Sequence, residues 1–423
     1  MLKSDSVSLF AEGTFEEQIQ ELVNYLTRGL PDEARAAFIK PFQDVLITRG
    51  SQKPLEEDSD RRRQTIIMVL AEVKNLGQGS DRETEGFFNL LYSHVLSLFP
   101  ETSKAQEHLE PLLATISSAP SETPTTKYKI LSNLFNALPR QSPLRLQVVN
   151  VLLPLVVSNN DLEVLQITRS TVDRWLSQWD VLQDEKTAFL KNIADAFNQA
   201  GDSETSYSYL LSRVELLPES SPDATTAALD TIVATLQLPT VFDLNHLLKV
   251  KALQTVKDHP LFGLLRILLY GDLAQYKEWQ AANTSTINEF GLDATALDRK
   301  IRFLTLASLA TQHVGKDLAY GKIVSALQIE SSQVEVWVID AIRAKLLSGK
   351  LSQPTQTFHV TRAMTRAFEQ AEWKLLEEKL VSWRSGLVSV LEVVANARKS
   401  TQVSRGANVH GDLAKEVPTA VVS

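Results

Sequence analysis

The chain of 423 residues contains no cysteine and only seven histidines. Without cysteine there can be no disulfide framework, no cysteine-ligated zinc and no thiol catalysis. No two histidines have the i, i+4 spacing of a helical metal site, and no H-E-x-x-H motif occurs. The sequence therefore predicts no metal site and no bound cofactor.

Motifs for phosphate binding and hydrolase chemistry are missing as well. The glycine-rich stretch Gly77–Ser80 has no strand pattern before it and no Lys-Ser or Lys-Thr pair after it. A phosphate-binding loop needs both, so we interpret this stretch as a turn between two helices. No G-x-S-x-G motif occurs either. We predict that the protein has no catalytic residues, binds no small-molecule substrate and is not an enzyme.

Long apolar runs are also absent. The longest, Val148–Val157, is interrupted by Asn150 and Pro154 and is far shorter than a membrane span. No apolar stretch of the length needed for a signal peptide follows Lys3. We therefore expect a soluble, intracellular protein in the cytoplasm, with no membrane contact.

Charge is distributed unevenly. The formal net charge is −8, but residues 300–399 carry 14 Lys and Arg against 9 Asp and Glu. The sequence thus indicates a weakly basic C-terminal module on an acidic body.

Helical periodicity dominates what is present. Apolar residues recur at three- and four-residue spacing, and the short joints between segments force neighbouring helices to be antiparallel. Paired helices begin near residues 128, 161 and 203, a spacing of about 33–42 residues that is typical of helical-hairpin repeats. We predict an all-α fold with a small β wing, in which an irregular HEAT/TPR-like solenoid leads into a C-terminal winged helix and a long last helix.

The predicted divisions follow from shifts in periodicity. They are an N-terminal helical region at 1–126 with a polar linker at about 49–64, helical repeats at 127–299, a winged helix at 300–366, a C-terminal helix at 367–399 and a disordered tail at 400–423. Within the first region, Thr14 and Glu17 have the spacing of a capping box. Within the repeats, Trp175 and Trp179 are spaced to clamp a joint between helices.

Three helix patterns followed by two short strands predict the winged helix. The helices are Lys300–Gln312, Lys322–Leu327 and Gln333–Leu347. Ser331–Ser332 supplies the expected N-cap of the third helix, and Gly349 its end. The strands lie within Leu351–Val360, around a bend at Pro354.

The third helix argues against sequence-specific DNA recognition. It carries Glu335 and Asp340, whereas a helix that enters a groove needs hydrogen-bond donors near its start. Two interpretations of the basic residues around the wing stay open: weak contact with RNA, or cations in solvent at the rim. These residues are Lys345, Lys350, Arg362 and Arg366.

The last helix, predicted at Phe368–Ala397, has more apolar surface than one winged helix can cover. Its large apolar residues fall along one stripe, as expected for packing on another chain. The stripe residues are Trp373, Leu376, Leu380, Trp383, Leu387 and Leu391.

A helical solenoid that leads into a winged helix and then a further helix resembles the PCI family. Members of that family are scaffold subunits of the proteasome lid, the signalosome and eukaryotic translation initiation factor 3. Five stretches are similar to an initiation factor 3 member in particular: Glu16–Leu26, Tyr128–Leu138, Asp173–Asp180, Val241–Gln254 and Val334–Gln353.

The resemblance implies a non-catalytic scaffold that assembles with other initiation factor 3 subunits of the PCI and MPN classes. It implies support for the recruitment of mRNA and initiator tRNA to the 40S ribosomal subunit. It also implies that the wing pairs edge to edge with a neighbour, through Leu351, Phe358 and Val360, and that the last helix joins a shared bundle. The alternatives are a PCI subunit of the signalosome and a winged-helix protein that binds nucleic acid.

Overall fold

A computed structural model of the chain describes residues 2, 13–47, 54–120, 123–366 and 370–411. In the last helix, side chains are described at 373, 374 and 376–398. The chain forms two compact units. The first comprises Met1–Val241, Leu247–Leu265 and Ala282–Leu297, and the second Phe242–His246, Arg266–Ala281 and Asp298–Ser423.

Antiparallel helices joined by short loops build the first unit, as the periodicity predicts. Through residue 241 they are α1 Phe15–Leu26, α2 Asp32–Leu46, α3 Ser59–Glu72, α4 Asp81–Leu98, α5 Thr102–Ser118, α6 Pro124–Ala137, α7 Leu144–Ser158, α8 Arg169–Gln178, α9 Gln183–Gln199, α10 Ser203–Leu216 and α11 Ala224–Gln237. A 3-10 turn at Leu162–Leu165 precedes α8.

One continuous apolar core runs through α1 to α10. Thr14 and Glu17 form the predicted capping box at the start of α1. Trp175 and Trp179 are both buried and stacked, with ring centroids 5.5 Å apart. Trp175 also contacts Phe135 of α6, and Trp179 contacts Phe189 of α9, which confirms the predicted place of the pair in the core at a joint between helices.

The linker predicted at 49–64 is wrong in its second half, because α3 begins at Ser59. The Asp58 side chain accepts a hydrogen bond from the Arg61 backbone N–H and caps this helix. The Arg61 guanidinium donates to the carbonyl oxygen of Val45 at 2.7 Å, at the end of α2, and Arg63 Nε donates to Leu98 O at 3.0 Å, at the end of α4. The basic run therefore satisfies helix ends and is not a solvated loop.

Arg145 plays the same role deeper in the first unit. Its side chain is fully buried. Nε and Nη2 donate to the carbonyl oxygen of Leu138 at 3.2 and 2.8 Å, immediately after α6. The guanidinium also lies 4.7 Å from the ring centroid of Phe135. Arg145 thus supplies hydrogen bonds to a carbonyl that α6 cannot satisfy itself.

Shorter helices follow α11. They are α12 Asn245–Lys249, α13 Pro260–Tyr270, α14 Leu273–Ala282, α15 Thr284–Glu289 and α16 Ala294–Gln312, with a 3-10 turn at Lys251–Val256. The winged helix in the second unit adds β1 Asp317–Ala319, α17 Tyr320–Leu327, α18 Val334–Arg343, β2 Leu347–Ser352 and β3 Thr357–Ala363 to the end of α16. The strand order is β1-β3-β2 and both pairings are antiparallel. The predicted fold class is therefore confirmed.

The third winged-helix helix differs from its predicted span of 333–347. Ser331–Gln333 is a 3-10 turn without a side-chain cap, so the predicted serine N-cap is wrong. The helix ends at Arg343. Gly349, which was predicted to end the helix, lies within β2. A Cβ atom at Gly349 would collide with the carbonyl oxygen of His359, which explains why glycine is needed there.

Two further boundaries were not predicted. β1 is too short to show period-two alternation, and the pairing of Leu318 with Phe358 defines it. The last helix, α19, spans Gln370–Gly411, so its backbone continues well past 399. The tail predicted to begin at 400 is therefore helical to 411, and its remainder lies outside the described residues.

We predict that Arg145→Met destabilises the first unit by about 1–3 kcal/mol, because the Leu138 carbonyl loses its donors. The midpoint of urea denaturation, followed by circular dichroism, measures this loss. Arg82→Met, at an exposed position of α4, is the control and should leave the midpoint unchanged. An Arg145→Met midpoint equal to that of the control would contradict the assigned role.

A second prediction concerns His94, which is buried on α4 and packs edge-on against the ring of Phe15 at 5.2 Å. Burial, together with the nearby charge of Arg62, lowers the pKa of His94 to about 4 from 6.5. Below pH 6.5 the unfolded chain therefore binds more protons, so stability falls as the pH drops from about 6.5 to 4.

His94→Leu should weaken this acid dependence. Urea midpoints at pH 7 and pH 5 test it, and the difference between them should be smaller in the variant than in the wild type. His108→Leu, at a half-buried position, is the control. An unchanged pH dependence in His94→Leu would show that His94 is not the responsible group.

Candidate interaction surfaces

The wing residues predicted to form an interface are mostly in the core. Phe358 and Val360 lie on β3, the central strand, and both are fully buried. The Val360 N–H donates to Lys316 O, and Val360 O accepts from the Gly315 N–H. Neither residue can present its side chain or backbone to a partner. The prediction is wrong for these two because the third strand, β1, covers the side of β3 that the sequence left open.

Leu351 is different, because it lies half-buried on the edge strand β2. The backbone N–H and C=O groups of Val360 point towards β1. In an antiparallel sheet, successive residues of a strand point these groups to opposite neighbours. His359 therefore faces β2 and pairs with Lys350, while Leu351 sits opposite Phe358. It follows that the N–H and C=O of Leu351 point away from the sheet. The available part of the wing is thus a backbone edge.

The basic residues predicted around the wing divide into two groups. Lys345, Lys350 and Arg362 are exposed. Arg366 is buried at 8% exposure, and its guanidinium donates to Leu268 O at 2.6 Å and to Gly271 O at 2.9 Å. Arg366 caps the end of α13 and cannot contact RNA, so that part of the prediction is wrong.

Arg366 also fixes the segment between the winged helix and α19. Its own carbonyl accepts a hydrogen bond from Asn245 Nδ2 at 2.8 Å. Burial lowers the pKa of the Arg366 guanidinium to about 10, so it remains charged at neutral pH. Sequence reasoning missed this role because the acceptor at Leu268 lies 98 residues earlier in the chain.

The outer side of α18 exposes apolar side chains, and its Asp340 is ion-paired. Arg299 donates to Asp340 at 2.9 Å, and Arg343 lies 3.5 Å from the same carboxylate. Val336 is 59% exposed and Ile339 40% exposed. The exposed side of this helix thus offers apolar side chains, and the expectation that it does not read DNA bases stays a prediction.

The helix α19 carries the predicted stripe, and every one of its described side chains is exposed. The stripe residues have exposed fractions of 62% for Trp373, 38% for Leu376, 52% for Leu380, 66% for Trp383, 45% for Leu387 and 67% for Leu391. At about 100° per residue all six project within one third of the helix circumference. Glu378, Ser382, Ser385 and Ser389 lie on the opposite side, together with Val393.

Two other classes of site are not found among the described residues. No group of three His, Asp or Glu side chains there is arranged to hold a metal ion. None of the described helices is long and apolar enough to cross a bilayer.

Comparison with known protein families gives two matches in the second half of the chain. A model of the PCI domain matches residues 279–362, which include the winged helix. A model described as the C-terminal helix of eIF3 subunit M matches residues 366–394, which include the stripe.

Curated relatives extend the similarity to nearly the whole chain. A protein of Phaeosphaeria nodorum named eukaryotic translation initiation factor 3 subunit M is 30% identical over 92% of this chain and 88% of its own length. Proteins of the same name from Aspergillus terreus and Aspergillus clavatus are 30% and 29% identical, over 94% and 93% of this chain and 89% and 86% of their own lengths. The chain therefore belongs to the family of subunit M of eukaryotic translation initiation factor 3.

Proposed function

We propose that the protein is a non-catalytic scaffold subunit of eukaryotic translation initiation factor 3 that acts in the cytoplasm. It assembles with other PCI and MPN subunits and, through the complex, supports recruitment of mRNA and initiator tRNA to the 40S ribosomal subunit. The observation that carries the proposal is α19, a helix of 42 residues with an apolar stripe and no buried side chain among those described. The named relatives favour this factor over the signalosome.

Helix energetics support a partner for α19. Most helices are stabilised by packing of an apolar face and not by intrinsic propensity. The exposed Trp and Leu side chains of the stripe lack that stabilisation. A partner that covers them would gain free energy on the order of 1 kcal/mol for each half-exposed side chain. The opposite side is mostly polar, with Ser382 and Ser389, and suits the solvent side of a helical bundle.

The edge of β2 supports a second contact. Its outward N–H and C=O groups at Leu351 can pair with a strand of a neighbouring winged helix. Only backbone groups are required, so the contact demands little of the side chains on either strand. The wing and α19 would then contact different subunits, as a scaffold requires.

We predict that Leu380→Glu combined with Leu387→Glu releases the chain from its complex, because both charges fall within the stripe. The measurement is quantitative mass spectrometry after affinity purification of the tagged full-length chain, with co-purified PCI, MPN and 40S proteins as readout. Recovery of these partners should fall at least about tenfold, the equivalent of about 1.4 kcal/mol.

The matched control is Ser382→Glu combined with Ser389→Glu, which adds the same charge at the same spacing on the opposite side. Partner recovery should be retained in that variant. Normal recovery with the stripe variant, or equal loss in both, would contradict the assignment of the stripe as an interface.

A further prediction is that Leu351→Pro weakens association with one neighbouring subunit, because proline removes the outward N–H and leaves the bonds between β2 and β3 intact. Leu351→Ala keeps the N–H but loses the side chain and serves as the control. Comparison of the two by the same purification should show selective loss with proline. Equal behaviour of the two variants would exclude strand pairing at this edge.

A further inference from the structure

The winged-helix sheet has one buried and one exposed face. Leu347, Phe358 and Val360 lie in the core. The exposed side chains of the sheet are Asp317 and Ala319 on β1, Ser348 and Lys350 on β2, and His359, Thr361 and Arg362 on β3. The register places Lys350 and Asp317 on either side of His359, and Ser348 opposite Arg362. Cations and hydroxyl groups therefore meet on this face.

Acidic side chains on this face are few, and each is already hydrogen-bonded or ion-paired. Asp317 is the only acidic residue in the three strands, and His359 Nδ1 lies 2.7 Å from its Oδ1. On the preceding helix, Asp340 is paired with Arg299 and Arg343. Within the sheet, Asp317 is thus the only acidic neighbour of Lys350 and Arg362, and Asp317 is already bonded to His359.

Lys345 adds a third cation beside β2, at an unfavourable backbone position. Its φ is +59°, in the left-handed region. The N–H of Leu346 donates to Ala341 O, and that of Lys345 to Ile342 O. This is the glycine-type helix ending in which the left-handed position is usually glycine. A lysine there costs about 1 kcal/mol relative to glycine.

We propose that this face, the outer surface of the wing sheet with Lys345, Lys350 and Arg362, binds the phosphate backbone of single-stranded RNA. Lys, Arg, Ser and Thr are the side chains that contact phosphates and sugars. The exposed face of the strands carries no Phe, Tyr or Trp on which bases could stack. Binding is therefore independent of base sequence. The assignment to RNA instead of DNA rests on the proposed function in translation initiation.

The face and the edge of the sheet are separate surfaces. The side chain of Lys350 stands on the face, whereas the backbone groups of Leu351 point out of the edge. An RNA strand on the face thus leaves the edge available for a protein neighbour.

The salt dependence of RNA binding by the full-length chain is the primary test. Fluorescence polarisation of labelled oligouridylate between about 50 and 200 mM salt should give a slope of log K against log salt of about −2, because three phosphates are neutralised on a single strand. Oligothymidylate and oligoadenylate of equal length should bind within a few-fold of oligouridylate. No salt-sensitive binding, or strong selection for one base, would overturn the proposal.

Charge reversal locates the surface. Lys350→Glu combined with Arg362→Glu should lower RNA affinity about tenfold or more. The slope of log K against log salt should become shallower than about −1, because one cation of the three remains. Lys251→Glu combined with Lys257→Glu changes the net charge equally at exposed positions of the first unit and should leave affinity within about twofold. Equal losses in the two variants would show a general charge effect and overturn the assignment.

Lys345→Gly separates binding from folding. It should lower RNA affinity a few-fold while the midpoint of thermal unfolding stays the same or rises, because glycine relieves the left-handed position. Unchanged affinity in this variant would remove Lys345 from the surface and overturn the three-cation site.

The outcome is distinguishable from that for the scaffold function. The Lys350 and Arg362 variant should still co-purify with partner subunits, and the Leu380 and Leu387 variant should still bind RNA. Loss of subunit association in the first variant, with RNA binding intact, would overturn the proposal.

Discussion

Arginine side chains that hold the carboxyl ends of helices are the interaction on which both units depend. Arg61, Arg63 and Arg145 donate to carbonyls at the ends of α2, α4 and α6 in the first unit. In the second unit Arg302 and Arg366 do the same for α17 and α13. The last carbonyls of a helix have no partner within it, and burial without donors costs about 1–3 kcal/mol each. Short joints leave little room for solvent or glycine caps, so a guanidinium from another part of the chain supplies the donors.

This use of arginine also determines which charges remain for function. Guanidinium groups that bind carbonyls or stack on rings have fewer donors left for a ligand. The exposed cations of the wing, Lys345, Lys350 and Arg362, therefore stand out in a chain whose net charge is −8. Arg366 shows the difference most clearly. Arg362 lies exposed on β3, whereas Arg366, just after the end of that strand, is buried against α13.

The two proposed protein contacts have different physical origins. The α19 stripe offers apolar area, which gains free energy wherever water is removed and is specific mainly through shape. The β2 edge offers hydrogen-bond groups in a fixed register, which select an extended partner strand. A subunit with both can join a helical bundle and a row of winged helices at once. Neither contact needs a catalytic group, in keeping with membership of an initiation factor family.

Local pattern was enough to predict much of this protein. Apolar and aromatic spacing predicted the helices of the solenoid, the buried Trp175 and Trp179 and the apolar stripe of α19, and the spacing of Thr14 and Glu17 predicted the capping box. These features depend on neighbours within a few residues, and helical periodicity records them directly. The prediction of a winged helix also held, because its helices and the bend near Pro354 are local.

Tertiary structure decided the rest, because the partners are distant in sequence. Whether an arginine is a surface charge or a helix cap depends on where another helix ends, as Arg61, Arg145 and Arg366 show. Whether Phe358 and Val360 face a partner depends on β1, whose three residues carry no periodic signal but occupy the other side of β3. Burial and pairing across a sheet are properties of the assembled fold, and composition and spacing alone could not assign them.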